Sequence, residues 1–503
     1  MPLTRWWTRA RELAGAAAAR GLSVGMEEWR QAASDVAAAG GRLLAMWAAD
    51  GNGSQHGTTA VYAAFIADPG VLLIELPLER AGSRTGDEGG PQADYPGLAG
   101  LFPCASRMQR AMLDLSRVRS SDPDQRPWLH HAREGYDFVR VSGDGVHEVA
   151  VGPVHAGTIE PGHFRFSVVG EKVLRLEERL GYTHKGVERR FTELPILEGH
   201  RLAARLCGDS AVAYSWAYCQ ALEGMTGCEI PPRAAMLRAL FLELERIANH
   251  LGDIGGIAND AGLAFGLSQF SRLKEELLRA VSQAFDQRYL LDAVVPGGTR
   301  VDLSAPTAEA LSSRVTAIAV EASELRAIYD DHSGLRERFA GAGLLTVELA
   351  TRLGVLGLVG RASGQALDAR VDRPWAPYGA LAPRKVVLRE GDVAARVAVR
   401  FEELTESCRL VLEILASLPA GANAAAIQPP QCGAFGVGLI EGWRGPVLIA
   451  LEAGRDGTIH RCHPHDPSWQ NWPALEHAIL GNLIADFPLI NRSFNLAYSG
   501  VDL

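Results

Sequence analysis

The sequence predicts an α+β protein: a small α+β domain over residues 1–135, a linker over 136–150, and a large, mainly helical domain over 151–503 that opens on a β-hairpin. Three observations predict it. Between residues 41 and 78, short apolar runs are separated by turn residues, the pattern of paired strands. At Glu148 the texture changes, and a hairpin pattern centred on Gly170-Glu171 follows. Beyond it, apolar residues recur at spacings of three and four, the period of helices that bury one stripe.

In chain order, Glu27 to Ala39 reads as a helix, followed by strand-like runs at Gly41–Ala48, Thr58–Ala67 and Gly70–Leu78. Ala81 to Gly97 is rich in Gly, Asp and Pro and reads as an exposed loop. Ser106 to Ser116 has helical spacing, and Ser120-Ser-Asp-Pro-Asp-Gln-Arg-Pro reads as a loop or linker. In the second domain, Phe164-Arg-Phe-Ser-Val-Val and Lys172-Val-Leu-Arg-Leu-Glu flank the hairpin turn. Pro231-Pro232 opens a helix whose stripe is Leu237, Leu240, Phe241, Leu244, Ile247 and Leu251, with Gly252 at its expected end. Further long helices are expected at Gln269–Phe285, Thr307–Asp330, Glu390–Leu418 and Trp472–Ala485. Pro296-Gly-Gly-Thr-Arg and Gly433-Ala-Phe-Gly-Val-Gly read as glycine-rich breaks, with short strands near 433–462.

Composition excludes several classes. Apolar residues make up 47% of the 503 and charged residues 22%, enough for a large core. A net charge of −9, with both signs interspersed, lacks the clustered positive field that nucleic-acid binding needs. No apolar run is long enough to span a bilayer. Arginines interrupt the alanine-rich start, so a secretory leader is not expected. Seven scattered cysteines, with no CxxC among them, fit reduced thiols in a cytoplasmic setting better than a disulfide framework.

Four stretches carry the functional signal. They are Gly152-Pro-Val-His-Ala-Gly-Thr-Ile-Glu-Pro-Gly-His-Phe-Arg-Phe, Gly181-Tyr-Thr-His-Lys-Gly-Val-Glu-Arg, Arg205-Leu-Cys-Gly-Asp-Ser with Ala213-Tyr-Ser, and the C-terminal run from Asp486 to Leu503. In this order they resemble the large subunit of group 4 nickel–iron hydrogenases of the formate hydrogenlyase type, and the related 49 kDa subunit of complex I. Glu243-Leu-Glu-Arg-Ile-Ala-Asn-His and Pro296-Gly-Gly share the resemblance, which spans about 150–503. Ala105-Ser-Arg-Met-Gln-Arg-Ala-Met-Leu-Asp-Leu with Asp124-Gln-Arg-Pro looks like a degenerate 30 kDa-subunit domain fused in front. The implied fold is that of a hydrogenase large subunit.

The resemblance also implies a site. Its family holds nickel and iron on two cysteine pairs, because soft thiolates bind and tune that metal pair. Cys207 keeps one position, while Ser210, Ala497 and Gly500 stand at the other three. A centre resting on one thiolate and a hydroxyl is not expected to hold nickel. A quinone is the second cofactor the resemblance leaves open. Its family residues would be a histidine where Ile159 stands and a tyrosine near Gly208, with Tyr214 close by. Glu160 falls where hydrogenases place a proton-relaying carboxylate; a turn carboxylate capping amides beside Pro161 is the other reading. His155 either faces a cluster in a neighbouring subunit or braces its loop. Asp209 with Cys207 lines the former metal cavity, and a buried cysteine acting as a small apolar residue is the alternative. His184 and Arg189 are expected to brace the bundle, and Asp502 to anchor the C-terminus.

Two further motifs carry less. Cys462-His-Pro-His with Asp466 has the look of a metal tract but matches a structural strand and turn of the family. The glycines from 433 to 438 lack the βαβ unit and downstream acid of a nucleotide site. The tryptophans, among them Trp6, Trp7, Trp443, Trp469 and Trp472, are expected to pack in the core or at interfaces. The implied partners are a small iron–sulfur subunit that carries a [4Fe–4S] cluster near the hairpin, a ferredoxin-like subunit, and membrane antiporter-like subunits. They would hold the chain at the cytoplasmic face of the inner membrane. Two functions follow: an oxidoreductase subunit taking electrons from the iron–sulfur partner, or a catalytically silent subunit that couples that partner to the membrane module.

Overall fold

A computed structural model describes residues 3–49, 59–78, 93–130, 135–155 and 159–503. The N-terminal part is built on a five-stranded sheet in the order Arg11–Glu12, Ala19–Ser23, Gly70–Leu78, Thr59–Ala67, Arg42–Ala49. Thr59–Ala67 runs antiparallel to both neighbours, with Ala67 opposite Gly70 across a two-residue turn, and Ala19–Ser23 lies parallel to Gly70–Leu78. Helices Met26–Ala38 and Ala105–Ser116 belong to the same core as one face of this sheet, through Trp29, Val36, Met108 and Met112 beside Met46, Phe65, Leu72 and Ile74. The other face, with Leu44, Trp47, Ile66, Val71 and Leu73, packs on Val437, Leu439, Leu448 and Ala450 of a second sheet. Both faces are therefore dry, which is why Val71-Leu-Leu-Ile reads as an unbroken apolar run rather than an alternation.

The loop expected over 81–97 lies outside the described residues up to 92; Ala93–Tyr95 then forms a short strand parallel to Val118–Ser120. The entrance hairpin is present, His163–Val169 with Lys172–Arg179, turning at Gly170. A third strand, Val146–Val151, begins in the stretch read as a linker and pairs with His163–Val169.

The second sheet has the order Ile459–His465, Pro446–Ala453, Phe435–Glu441, Ala14–Gly15, so a piece of the N-terminal segment completes the C-terminal sheet. The glycines at 436 and 438 are not a break between elements; both lie inside Phe435–Glu441. Helix Ala211–Thr226 lies directly on that strand. A Cβ at Gly438 would come within 1.8 Å of the Ala217 carbonyl oxygen, and one at Gly436 within 2.5 Å of that of Ala221. Only glycine allows this approach.

The body is helical: Pro232–Asp260, Ala264–Phe285, Ala305–Asp331 and Val393–Ser417 pack side by side. Side chains cap two of their N-termini, with Ser304 Oγ accepting from the Thr307 amide at 3.4 Å and Asp392 Oδ1 from the Ala395 amide at 2.8 Å. Two expected ends are corrected. The 232–260 helix does not stop at Gly252 but runs on through Gly255 and Gly256. Those glycines make room for neighbours, since a Cβ at Gly255 would meet that of Phe270 at 3.0 Å and one at Gly256 the Arg492 guanidinium at 3.2 Å. The helix expected over 472–485 is Ser468–Ala478, followed by a turn through Gly481 (φ +76°) and a separate helix, Phe487–Phe494.

Charged side chains on the 232–260 and 393–417 helices meet out of water. Glu403 binds Arg361 at 2.7 Å and Arg246 at 3.3 Å, and faces His250 at 3.2 Å. Glu243 accepts from Arg370 at 3.0 Å, Tyr378 at 2.6 Å and Ser407 at 2.6 Å. Removing one partner from such a set leaves an uncompensated buried charge. Glu403→Gln is therefore expected to cost about 3–5 kcal/mol in a urea unfolding curve. The exposed control Glu193→Gln should cost less than about 0.5 kcal/mol.

Candidate functional site

The turn carrying Cys207, Gly208, Asp209 and Ser210 leads into helix Ala211–Thr226 and closes on itself through the Ser210 amide and the Cys207 carbonyl, 3.0 Å apart. It forms one wall of an open cleft of about 440 Å³. The other walls are Ile159, Glu160 and Lys185 near the entrance hairpin, Arg444, and the C-terminal segment Asn495–Ser499. Arg444 sits in the tight turn between Phe435–Glu441 and Pro446–Ala453, where the Gly442 and Gly445 amides and carbonyls pair with each other.

Arg444 dominates the floor. Its guanidinium grips Asp209 with both Nη atoms, at 2.6 Å to each carboxylate oxygen, and its Nε donates to the Asn495 carbonyl at 2.6 Å. Such two-point pairs fix geometry as well as charge. The guanidinium lies 4.0 Å over the Trp443 ring, whose Nε1 donates to the Asp209 backbone carbonyl at 2.9 Å. Cys207 donates its thiol to Asp209 Oδ1 at 3.0 Å, and its sulfur is 3.6 Å from Arg444 Nη1. Ser210 Oγ lies 3.2 Å from the same Asp209 oxygen.

The protonation states follow. Burial works against a charge on Asp209, but the Arg444 guanidinium overrides it and holds the carboxyl down at about 2. Burial, reinforced by the Asp209 charge, pushes the Cys207 thiol well above its ordinary value. The site therefore holds an ionised carboxylate, a guanidinium and a protonated thiol.

A nickel–iron centre does not fit this donor set. The only sulfur is a thiol that spends its proton on Asp209 and has a cation beside it. At Gly500 a Cβ would fall 2.7 Å from the Asp466 carboxyl carbon, so a side chain there would have to displace Asp466. Asp466 is itself committed, accepting from Tyr214 Oη at 2.6 Å and from the Ser468 amide at 2.8 Å. Ala497 reaches the cleft with a methyl group, and its backbone is tied to Ser468 and Trp472.

The other residues singled out in the sequence divide. Glu160 lines the cleft and pairs with Lys185 at 3.1 Å. His155 binds the Gly162 carbonyl through Nε2 at 2.8 Å and rests against Phe164. Ile159 stands at the rim, while Tyr214 is fully buried beneath the floor. His184 Nδ1 meets the Asp502 carbonyl at 2.8 Å, and the Asp502 carboxylate accepts the Gly181 and Thr183 amides. Arg189 is exposed. His463 faces Glu188 at 2.6 Å and stacks on Trp47, and His465 meets Gln470 at 3.2 Å. Among the described residues, no group of three or more His, Cys, Asp or Glu gathers as a metal site. Sequence reasoning missed Arg444 and Tyr498, both on the cleft wall. The only signal for Arg444 was a charge inside a two-glycine turn between apolar strands.

The Asp209 charge and its hydrogen bond keep the Cys207 proton in place, so their removal should release it. In Asp209→Asn, with Arg444 left beside the sulfur, alkylation of Cys207 at pH 8 is expected to speed up about tenfold, one pKa unit's worth. Peptide mass spectrometry after iodoacetamide pulses separates Cys207 from the exposed Cys432. An unchanged rate would remove Asp209 from control of the thiol.

The family model "Respiratory-chain NADH dehydrogenase, 49 Kd subunit" matches residues 260–435. Formate hydrogenlyase subunit 5 of Escherichia coli (strain K12) is 32% identical over 392 residues, which cover 77% of this chain and 68% of that protein. Hydrogenase-4 component G of the same organism is 28% identical over 416 residues, covering 80% and 72%. The C/D polypeptide of NADH-quinone oxidoreductase from Bacteroides fragilis is 27% identical over 443 residues, covering 87% and 80%. In fold, the chain is similar to a subunit of the membrane-bound sulfane sulfur reductase, described as an archaeal respiratory membrane complex. That match has a TM-score of 0.66 and 24% identity, over 71% of this chain and 99% of that one. Among the described residues, no helix is long and apolar enough to cross a membrane. The chain belongs to the family of large subunits shared by membrane-bound hydrogenases of the formate hydrogenlyase type and complex I.

Proposed function

We propose that this chain is the large subunit of a membrane-associated, hydrogenase-like and complex I-like oxidoreductase, and that its cleft handles electrons and protons without a nickel–iron centre. The observation that carries this reading is the Arg444–Asp209 pair closed around the Cys207 thiol, where the family resemblance calls for a thiolate set. A cation held in place before the charge appears stabilises negative charge arriving on a small acceptor, and the Asp209 carboxylate holds the Arg444 guanidinium in that place. Glu160, paired with Lys185 on the open side, is suited to exchange protons with solvent. Electrons would come from an iron–sulfur subunit docked at the entrance hairpin and fed by a ferredoxin-like subunit. Membrane antiporter-like subunits would hold the assembly on the cytoplasmic face of the inner membrane. Residues 1–135 would correspond to the 30 kDa subunit of complex I and residues 151–503 to its 49 kDa subunit.

A second reading is a catalytically silent subunit that couples the iron–sulfur partner to the membrane module. It is favoured by the same pair, since Asp209 and Arg444 are each committed to the other. Purified whole complex separates the two. The expected outcome is no stoichiometric nickel by elemental analysis and no hydrogen uptake, with transfer of electrons from a reduced viologen to a quinone analogue. Asp209→Asn and Glu160→Gln should each lower that transfer on the order of a hundredfold, as loss of a positioned acid–base or charge-stabilising group does. Stoichiometric nickel with hydrogen uptake would overturn the reading of the site, and unaltered transfer in both variants would leave the silent reading standing.

A further inference from the structure

The Gly208–Asp209 turn has a second side. Behind it lies a narrow pocket of about 60 Å³ between helices Pro232–Asp260 and Ala264–Phe285. Gly208 and Asp209 line both this pocket and the outer cleft, so one turn of chain separates them. At Gly208 the partition is bare: a Cβ there would meet no atom within 4 Å. The volume suffices for a few waters at roughly 10–15 Å³ each.

Glu245 forms the inner wall of this pocket. Its neighbours on the same helix, Glu243 and Asp253, are each paired with an arginine. Glu245 has no ion pair among the described residues; its oxygens accept the Val212 and Ala213 amides at 2.7 and 3.3 Å. Asn249, one turn on, ties the pocket to the site by donating to the Asp209 carbonyl at 2.7 Å. Lys274, Arg288 and Tyr289 line the outer part, and Leu278 and Val281 complete the walls.

We propose that Glu245 is a proton-loading group: it takes protons from solvent through the gap between the two helices and passes them by water, past Gly208, to the Asp209 side of the cleft. This would be a second proton entrance, on the face opposite Glu160, and it rests on the reading of the cleft as an oxidoreductase site. Only O–H bonds change. A water proton moves to a Glu245 oxygen, then to pocket water and on to an acceptor in the cleft, and the carboxylate is restored. The electrons arrive separately from the iron–sulfur partner.

The electrostatics support the assignment. Burial raises the Glu245 carboxyl to about 8; the two backbone amides oppose the rise, Asp209 adds to it, and Arg246 lowers it. The other charges facing the pocket are Lys274 and Arg288 from the 264–285 helix and the loop that follows it. Arg246 is committed to Glu403 and the Glu441 carbonyl, and Arg444 to Asp209. A carboxyl titrating near the working pH both loads and releases readily.

The test uses the whole complex and two variants, Glu245→Gln and Leu278→Trp, the second of which plugs the pocket and leaves the carboxyl in place. Infrared spectroscopy in light and heavy water is expected to show a buried protonated-carboxyl band that titrates near pH 8, as placed by burial, and vanishes in Glu245→Gln. Leu278→Trp should keep the band but slow its deuterium exchange at least about tenfold, the equivalent of one pKa unit. The alkaline fall of viologen-to-quinone transfer should flatten in Glu245→Gln. A band that survives Glu245→Gln, or exchange untouched by Leu278→Trp, overturns the proposal. Because the infrared readout needs no turnover, a complex that loads Glu245 as described yet transfers no electrons would sink the oxidoreductase reading instead.

Discussion

The structure hangs on a set of charged and polar side chains removed from water along the Pro232–Asp260 helix. Glu243, Arg246, His250 and Asp253 follow one another at spacings of three and four, so they share one face. That face meets Arg400, Glu403 and Ser407 of the Val393–Ser417 helix. Arg361 bridges Glu403 and Glu441, at 2.7 and 2.8 Å, and so ties both helices to the C-terminal sheet. Buried charges tolerate few arrangements, because each needs its partner in position. The helix can neither turn nor slide without stranding one of them.

That constraint reaches the cleft. Asp253, held by Arg400 at 2.9 Å, accepts from the Asn495 side chain at 2.5 Å. The Asn495 carbonyl in turn receives Arg444 Nε, and Arg444 grips Asp209. The site is thus the last link of a chain of polar contacts that begins in the helical core. Its charges are fixed before any substrate arrives, the condition under which electrostatic stabilisation costs no reorganisation.

The chemistry of the cleft follows from which side chains carry the charge. A bimetallic centre would be held by soft anionic sulfur; here the anion is a hard carboxylate and its partner a guanidinium. The remaining sulfur keeps its proton because both the burial and the Asp209 charge favour the neutral thiol. On the far side of the same turn, the Val212 and Ala213 amides are satisfied by Glu245, so the helix that carries the site begins on a carboxyl with no ion pair among the described residues.

By itself the sequence determined what is local. The hairpin about Gly170, the helix opened by Pro232 and the strands of residues 42–78 rest on periodicities and turn residues within a few positions of one another. The Cys207–Ser210 segment is also local, and its missing thiolates are legible against the family's motif. The helix end expected at Gly252 is not there, because that glycine, like Gly255 and Gly256 beyond it, serves neighbours distant in the chain rather than its own backbone. Only the tertiary structure decided that Arg444, 235 residues from Asp209, would be the one to neutralise it. Many arginines could pair with that carboxylate on charge alone. Topology selects one, by the turn between two strands that places its guanidinium there.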